Sequence, residues 1–127
     1  MNDHLFDQLP VRRVDKPWGY ELIFARTARY VGKILHVNRG ESLSLQYHEI
    51  KEETLFVVSG RLMLTIEVDG DRREILLQGG QAFHIPPRMI HRMTAIEDTD
   101  LAEVSTPELD DVVRLEDRYG RAGTSAP

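Results

Sequence analysis

Between Tyr20 and Ser105 the chain is a succession of short apolar runs, and none of them has helical periodicity. Tyr20 to Ala25, Tyr30 to Val37, Glu53 to Val58 and Arg61 to Val68 read as strands, as do Arg73 to Leu77, Gln81 to Ile85, His91 to Ile96 and Leu101 to Ser105. The breaks between them are turn chemistry: Asn38-Arg39-Gly40, Ser59-Gly60, Gln78-Gly79-Gly80 and Pro86-Pro87. Asp69-Gly70 between two apolar runs is a hairpin signal. Many short strands at regular spacing predict an all-β sandwich or barrel. From Pro107 the pattern changes. Pro107 to Asp111 reads as a turn or short capped segment, and Val112 to Tyr119 as a short helix or an irregular return. The expected organisation is an arm over residues 1–15, one domain over 16–121 and a loose tail over 122–127. Trp18, the only tryptophan, is expected to anchor the core beside a tight turn.

Composition narrows the chemistry. At 127 residues the chain makes one ordinary domain with a real core. The absence of cysteine removes disulfides, thiolate catalysis and thiolate metal sites. The formal charge of −5 argues against a general nucleic-acid binder, which needs a basic face. There is no apolar run of membrane length and no signal-like start, so no membrane partner is expected and a cytoplasmic protein is.

Histidine, carboxylate and amide must therefore hold any metal. Gln46, His48 and Glu53 fall within eight residues, and His91 lies downstream. On a strand, Gln46 and His48 share one face while Leu43, Leu45 and Tyr47 take the other. A charged turn, Glu49 to Glu52, follows. If the next strand pairs back, Glu53 returns beside His48. Such a mixed nitrogen and oxygen set suits one divalent ion among zinc, manganese, iron, cobalt and nickel. Taken singly, each of these residues also reads as an ordinary polar strand or turn residue.

Their spacing resembles the cupin family. Its first motif is Gly, five residues, His-x-His, three or four residues, Glu, six residues, Gly. Gly40, Gln46-Tyr47-His48, Glu53 and Gly60 fit every interval, with Gln46 in place of the first histidine. Gly80, Pro86-Pro87-Arg88 and His91 fit the second motif, with Arg88 where glycine is usual. The Gln-x-His variant is similar to the metal set of phosphomannose isomerases. More closely, the chain resembles the isomerase domain at the C-terminal end of bifunctional mannose-1-phosphate guanylyltransferase/mannose-6-phosphate isomerases. The matching pieces are Lys16-Pro17-Trp18-Gly19-Tyr20-Glu21, Leu43 to His48, Val57 to Gly60, Ile85-Pro86 with His91-Arg92, and Asp110 to Arg121. The resemblance departs at Glu49-Ile50-Lys51 and at Arg88.

The resemblance implies a double-stranded β-helix, a jelly-roll-like barrel, and Gln46, His48, Glu53 and His91 as the metal ligands. It favours zinc and a sugar-phosphate substrate, mannose 6-phosphate converted to fructose 6-phosphate through an enediol. A homodimer is expected, with the N-terminal arm in the contact. For the proton transfer, His84, Lys33 and His36 are the candidates, the first two favoured. Those two also have a plainer reading: His84 as a surface histidine, Lys33 as a snorkelling lysine among apolar neighbours. Arg88 and Arg92 are the candidates for the phosphate, alongside Arg39. A small metal cupin oxygenase and a non-catalytic sugar- or metal-binding cupin are the alternatives, because a fold hosts many functions.

Overall fold

A computed structural model describes residues 8–123 and contains eleven strands and no helix among them. The strands are β1 (Arg12–Lys16), β2 (Gly19–Arg26), β3 (Val31–Val37), β4 (Leu45–Tyr47), β5 (Glu53–Ser59) and β6 (Arg61–Val68), then β7 (Asp71–Gln78), β8 (Ala82–Ile85), β9 (Ile90–Ala95), β10 (Thr99–Ser105) and β11 (Val113–Glu116). They form two sheets with strand orders β1-β2-β3-β10-β5-β8 and β11-β4-β9-β6-β7. Every ladder in both is antiparallel. This is the all-β architecture that the run spacing predicts. The hairpin at Asp69-Gly70 forms with Val68 opposite Asp71, and both turn residues have positive φ, at 53° and 79°. Such a turn matches the twist of the flanking strands.

The core lies between the sheets. Leu35, Val37, Leu55, Val57, Ile85 and Leu101 face it from the first, and Leu62, Leu64, Ile66, Leu77, Met93 and Ala95 from the second. Trp18 is buried among them, as expected. Two glycines allow close backbone approaches. A Cβ at Gly60 would come within 2.4 Å of the Asp98 carbonyl, and one at Gly19 within 1.9 Å of the His36 carbonyl. Both have positive φ, so any other residue would carry steric and backbone strain together.

Two segments differ from expectation. Arg12 to Asp15, placed in the arm, pair with β2 as β1. The expected helix or irregular return near Val112 is instead β11, a short edge strand on β4 with an irregularity after Arg114. Its alternation is hard to read because the inward position beside Val112 is an arginine, Arg114, buried to 6% exposure. Residues 1–7 of the expected arm and 124–127 of the expected tail lie outside the described residues. Among the described residues, no helix is long and apolar enough to cross a membrane.

Candidate metal centre and charged cavity

β4 and β9 are neighbours, and Gln46 stands directly opposite His91. β5 begins at Glu53 after the turn that follows His48. This topology brings the side chains of His48, Glu53 and His91 together, with potential ligand atoms all within 4.8 Å of one another. The Nε2 atoms of His48 and His91 lie 3.4 Å and 3.2 Å from the same Glu53 oxygen, Oε1. All three side chains are buried.

The hydrogen bonds behind the two rings settle what the front of each ring offers. His48 Nδ1 is 2.6 Å from the Asp111 carbonyl oxygen, and His91 Nδ1 is 2.9 Å from that of Met89. A carbonyl only accepts, so each Nδ1 carries the proton and donates it. In the neutral ring Nε2 is then a bare lone pair. Both Nε2 atoms and Glu53 Oε1 are buried without a hydrogen-bond partner. Three acceptors that face one another repel unless a cation lies between them. These residues therefore fit a divalent ion, with the second ring nitrogen oriented as metal-bound histidines require. Gln46 faces the adjoining cavity, and its Oε1 accepts a 2.7 Å bond from Ser44 Oγ. That leaves the oxygen a second lone pair.

Asp111 fastens this corner twice. Its carbonyl holds His48, and its carboxylate accepts from the backbone N–H groups of Glu49, Ile50 and Lys51 at 3.0, 2.7 and 2.9 Å. Burial pushes the Asp111 carboxyl up, but these three donors outweigh it and hold it below the usual range. The Arg88 N–H, in turn, donates to the His48 carbonyl at 2.6 Å.

A cavity of about 70 Å³ opens beside the triad. His48 and Gln46 line it together with Trp18, Leu35, Leu43, Met93 and a set of charged side chains. Five cations, Lys16, Lys33, Lys51, Arg114 and Arg121, face two acids, Glu21 and Glu103. Lys33 Nζ is 3.3 Å from Glu21 Oε2, so this lysine points inward and is paired. Lys51 Nζ bridges Glu53 Oε2 at 3.2 Å and Glu103 Oε1 at 3.8 Å. Burial, and then the Glu53 charge, push the Glu103 carboxyl up to about 8. Burial would likewise raise Glu53, but Glu103, the two histidines and the Lys51 ammonium outweigh it, and Glu53 stays well below the usual range. At neutral pH the pair therefore holds one anion, Glu53, and one protonated acid, Glu103.

Of the residues singled out from sequence, Gln46, His48, Glu53 and His91 meet at the metal corner, and Lys33 lines the cavity with two of them. The others lie elsewhere. His84 is on the edge strand β8 between Phe83 and Ile85, which pack on the core, so alternation turns it outward. There it sits half exposed, 2.6 Å from Glu52 Oε2. Arg92 alternates with the buried His91 and Met93 and takes the opposite face of its sheet. Arg88 is on the surface with Nε 3.5 Å from Glu49. Neither His84, Arg88 nor Arg92 lines the cavity. His36 also faces outward, stacked on Tyr20 and 2.7 Å from Asp100. The sequence reading missed Lys16, Glu21, Lys51, Glu103, Arg114 and Arg121. For Glu103 a signal existed, since it alternates with Leu101 and Ser105 on one face of β10.

The sequence and the fold both have counterparts among known proteins. The family described as mannose-6-phosphate isomerase C-terminal matches residues 6–117. A mannose-1-phosphate guanylyltransferase of Escherichia coli (strain K12) is 41% identical over 119 residues, covering 87% of this chain and 23% of the relative. The alginate biosynthesis protein AlgA of Pseudomonas putida is 35% identical over 116 residues, covering 87% of this chain and 23% of the relative. The chain thus spans about a quarter of the length of these curated relatives. A Klebsiella pneumoniae protein with a double-stranded β-helix domain superposes with a TM-score of 0.64 at 17% identity, covering 74% of this chain and 81% of its own. That likeness, with the two facing antiparallel sheets, gives the cupin fold. The chain belongs to the mannose-6-phosphate isomerase C-terminal family.

Proposed function

We propose that the chain is a metal-dependent sugar-phosphate isomerase that converts mannose 6-phosphate to fructose 6-phosphate. The observation that carries this reading is the convergence of His48 Nε2, His91 Nε2 and Glu53 Oε1, three buried acceptors that face one another without hydrogen-bond partners. Family membership supports the substrate class. His48, Glu53 and His91, with Gln46 beside them, would hold the ion, and zinc is the first choice. When bound, the ion supplies Lewis acidity to the sugar's carbonyl and neighbouring hydroxyl oxygens.

The rest of the work falls to side chains around the cavity. Isomerisation takes the proton from C2 and delivers one to C1, while the hydroxyl proton on O2 passes to O1. A group that moves these protons must reach the substrate. Lys33 does line the cavity, and Lys51 and Glu103 line it beside the triad. Glu103, held near neutral pKa by burial and by Glu53, has the range such a shuttle needs. His84, half exposed and hydrogen-bonded to Glu52, has no part in this proposal. The core side chains Trp18, Leu35 and Met93 close the cavity's apolar wall and limit water.

The test is coupled turnover of mannose 6-phosphate by the zinc-loaded chain. Fructose 6-phosphate formation that disappears in Glu53→Gln and falls in Glu103→Gln supports the reading. A full complement of metal with no turnover sinks it, and a binding cupin then becomes the better description.

A further inference from the structure

Every side chain assigned to the ion precedes residue 92, yet the turn between His48 and Glu53 is held by residues that follow β10. The N–H groups of Glu49, Ile50 and Lys51 all donate to the Asp111 carboxylate, and that of Glu52 donates to Thr106 Oγ1 at 3.0 Å. The Thr106 N–H returns a bond to the Glu52 carbonyl, also at 3.0 Å. Successive N–H groups that converge on one anion form a backbone nest, and here the chain's own Asp111 fills it. The curl has a directional result. Glu49 and Ile50 stay exposed, whereas Lys51, next in line, is buried to 5% exposure. Its Nζ lies 3.2 Å from Glu53 Oε2, which leaves Oε1 to face the two histidines.

We propose that Asp111 is a positioning residue for the metal corner, acting on two of its ligands at once. Its carboxylate curls the turn so that Lys51 engages Glu53 Oε2, and Lys51 thereby decides which Glu53 oxygen stays free. Its carbonyl accepts from His48 Nδ1 at 2.6 Å and thereby decides which nitrogen of that ring stays free. Both arms leave one residue, so the orientation of Glu53 and that of His48 are set together. His91 is oriented separately, by the Met89 carbonyl two residues away on its own chain segment. The corner therefore depends on the stretch between β10 and β11, which contributes no ligand of its own. The proposal rests on the metal-centre part of the isomerase reading and not on the sugar.

The test measures zinc affinity of the full chain by competition with a chromophoric chelator. Nitrogen-15 NMR of the metal-free protein reports the His48 ring tautomer. Partners behind ligating groups are worth about 10–100-fold in metal affinity, so Asp111→Ala should weaken zinc binding by that factor. It should also turn the single Nδ1–H tautomer of His48 into a mixture. Asp111→Asn keeps one acceptor oxygen and should fall between Asp111→Ala and the parent. Thr106→Val loosens the same turn at Glu52, away from both arms, and should leave zinc affinity and tautomer unchanged. In a Lys51→Met background the cost of Asp111→Ala should shrink, because one arm is already gone. If Asp111→Ala does not fold, Asp111→Asn carries the test with both readouts. Unchanged zinc affinity in the Asp111 variants, an equal loss in Thr106→Val, or the same cost in both Lys51 backgrounds overturns the positioning role. A parent that binds no zinc overturns it too. Zinc binding that the Asp111 variants weaken, in a parent without turnover of mannose 6-phosphate, keeps the positioning role and removes the isomerase reading alone.

Discussion

The interior of the barrel has two ends of opposite character, built by the same strands. At one end β3, β5 and β10 present Leu35, Val37, Val57 and Leu101, with Leu101 opposite both Leu35 and Val57. Further along, the same inner faces present Lys33 and Glu103, two residues on and opposite each other, and Glu53, four residues on. β9 repeats the change, from Ala95 and Met93 to His91. The apolar end is the source of stability, since each fully buried large side chain contributes about 1.5–3 kcal/mol. The charged end works against it, because each buried ion loses several kcal/mol of hydration, which pairing offsets only in part. A chain selected for stability alone would extend the leucines. That this one does not is a reason to place the proposed function at the charged end.

The sharpest way to break this comparison is to treat the buried ion pairs as ordinary packing. Glu21→Ala strands Lys33 and Lys16 and should cost about 3–5 kcal/mol. The joint change Glu21→Leu with Lys33→Met and Lys16→Met removes all three charges at similar volume. It should be neutral or stabilising by about 1–4 kcal/mol, while turnover falls. Urea denaturation of the three proteins decides. If the joint variant is as damaged as Glu21→Ala, the charged end is structural and the comparison fails. At the other end, Leu101→Ala should cost about 2–5 kcal/mol through lost burial and the cavity left behind. Zinc affinity should be retained, since Leu101 belongs to the apolar core cluster and stands opposite Leu35 and Val57.

Acid should also discriminate between the ends. Asp117 is held below the usual carboxylate range: burial raises it, but the Arg121 side chain and backbone N–H, and the Tyr119 N–H, outweigh that. A depressed folded-state pKa gives stability that is present above the unfolded value, about 3.9. That stability is lost as pH falls through the lower folded value. Asp117→Asn should therefore be less stable than the parent at pH 7, with the difference closing as pH falls below about 4. Leu101→Ala should keep its deficit throughout. Melting temperatures of both variants across pH 3–7 make the measurement, and a constant deficit for Asp117→Asn would contradict it.

What the sequence disclosed follows the same division. The apolar end was legible because alternation and turn residues predict strands, and the metal corner because three of its residues fall at short spacing within Gly40–Gly60 and His91 follows in a second spaced motif. The charged wall was not. Lys51 sits in a run of charged turn residues and looks solvated, yet three backbone bonds to Asp111 curl that turn so that its side chain is buried. Arg114 disguised β11 because a charge at an inward position breaks the expected pattern. His84 misled for a related reason. Its strand alternates correctly, but the apolar Phe83 and Ile85 claim the core face and leave the histidine the outer one.

A smaller strain sits at the rim of the charged end. Arg88 adopts φ of 70°, a left-handed conformation at the position where the resembling motif carries glycine. For a residue with a Cβ this costs about 1–2 kcal/mol. Glycine would remove that cost but return about 0.5–1 kcal/mol through its freer unfolded chain. The ion pair to Glu49, at 3.5 Å and well exposed, is worth little either way. Arg88→Gly should therefore stabilise the protein by up to about 1 kcal/mol. Because Arg88 stands outside the cavity, KM for the sugar phosphate should not move. A destabilised variant would mean that the Arg88 side chain holds the turn before His91. A raised KM would return it to the substrate, and the boundary of the charged end would then have to be drawn outward to include the rim.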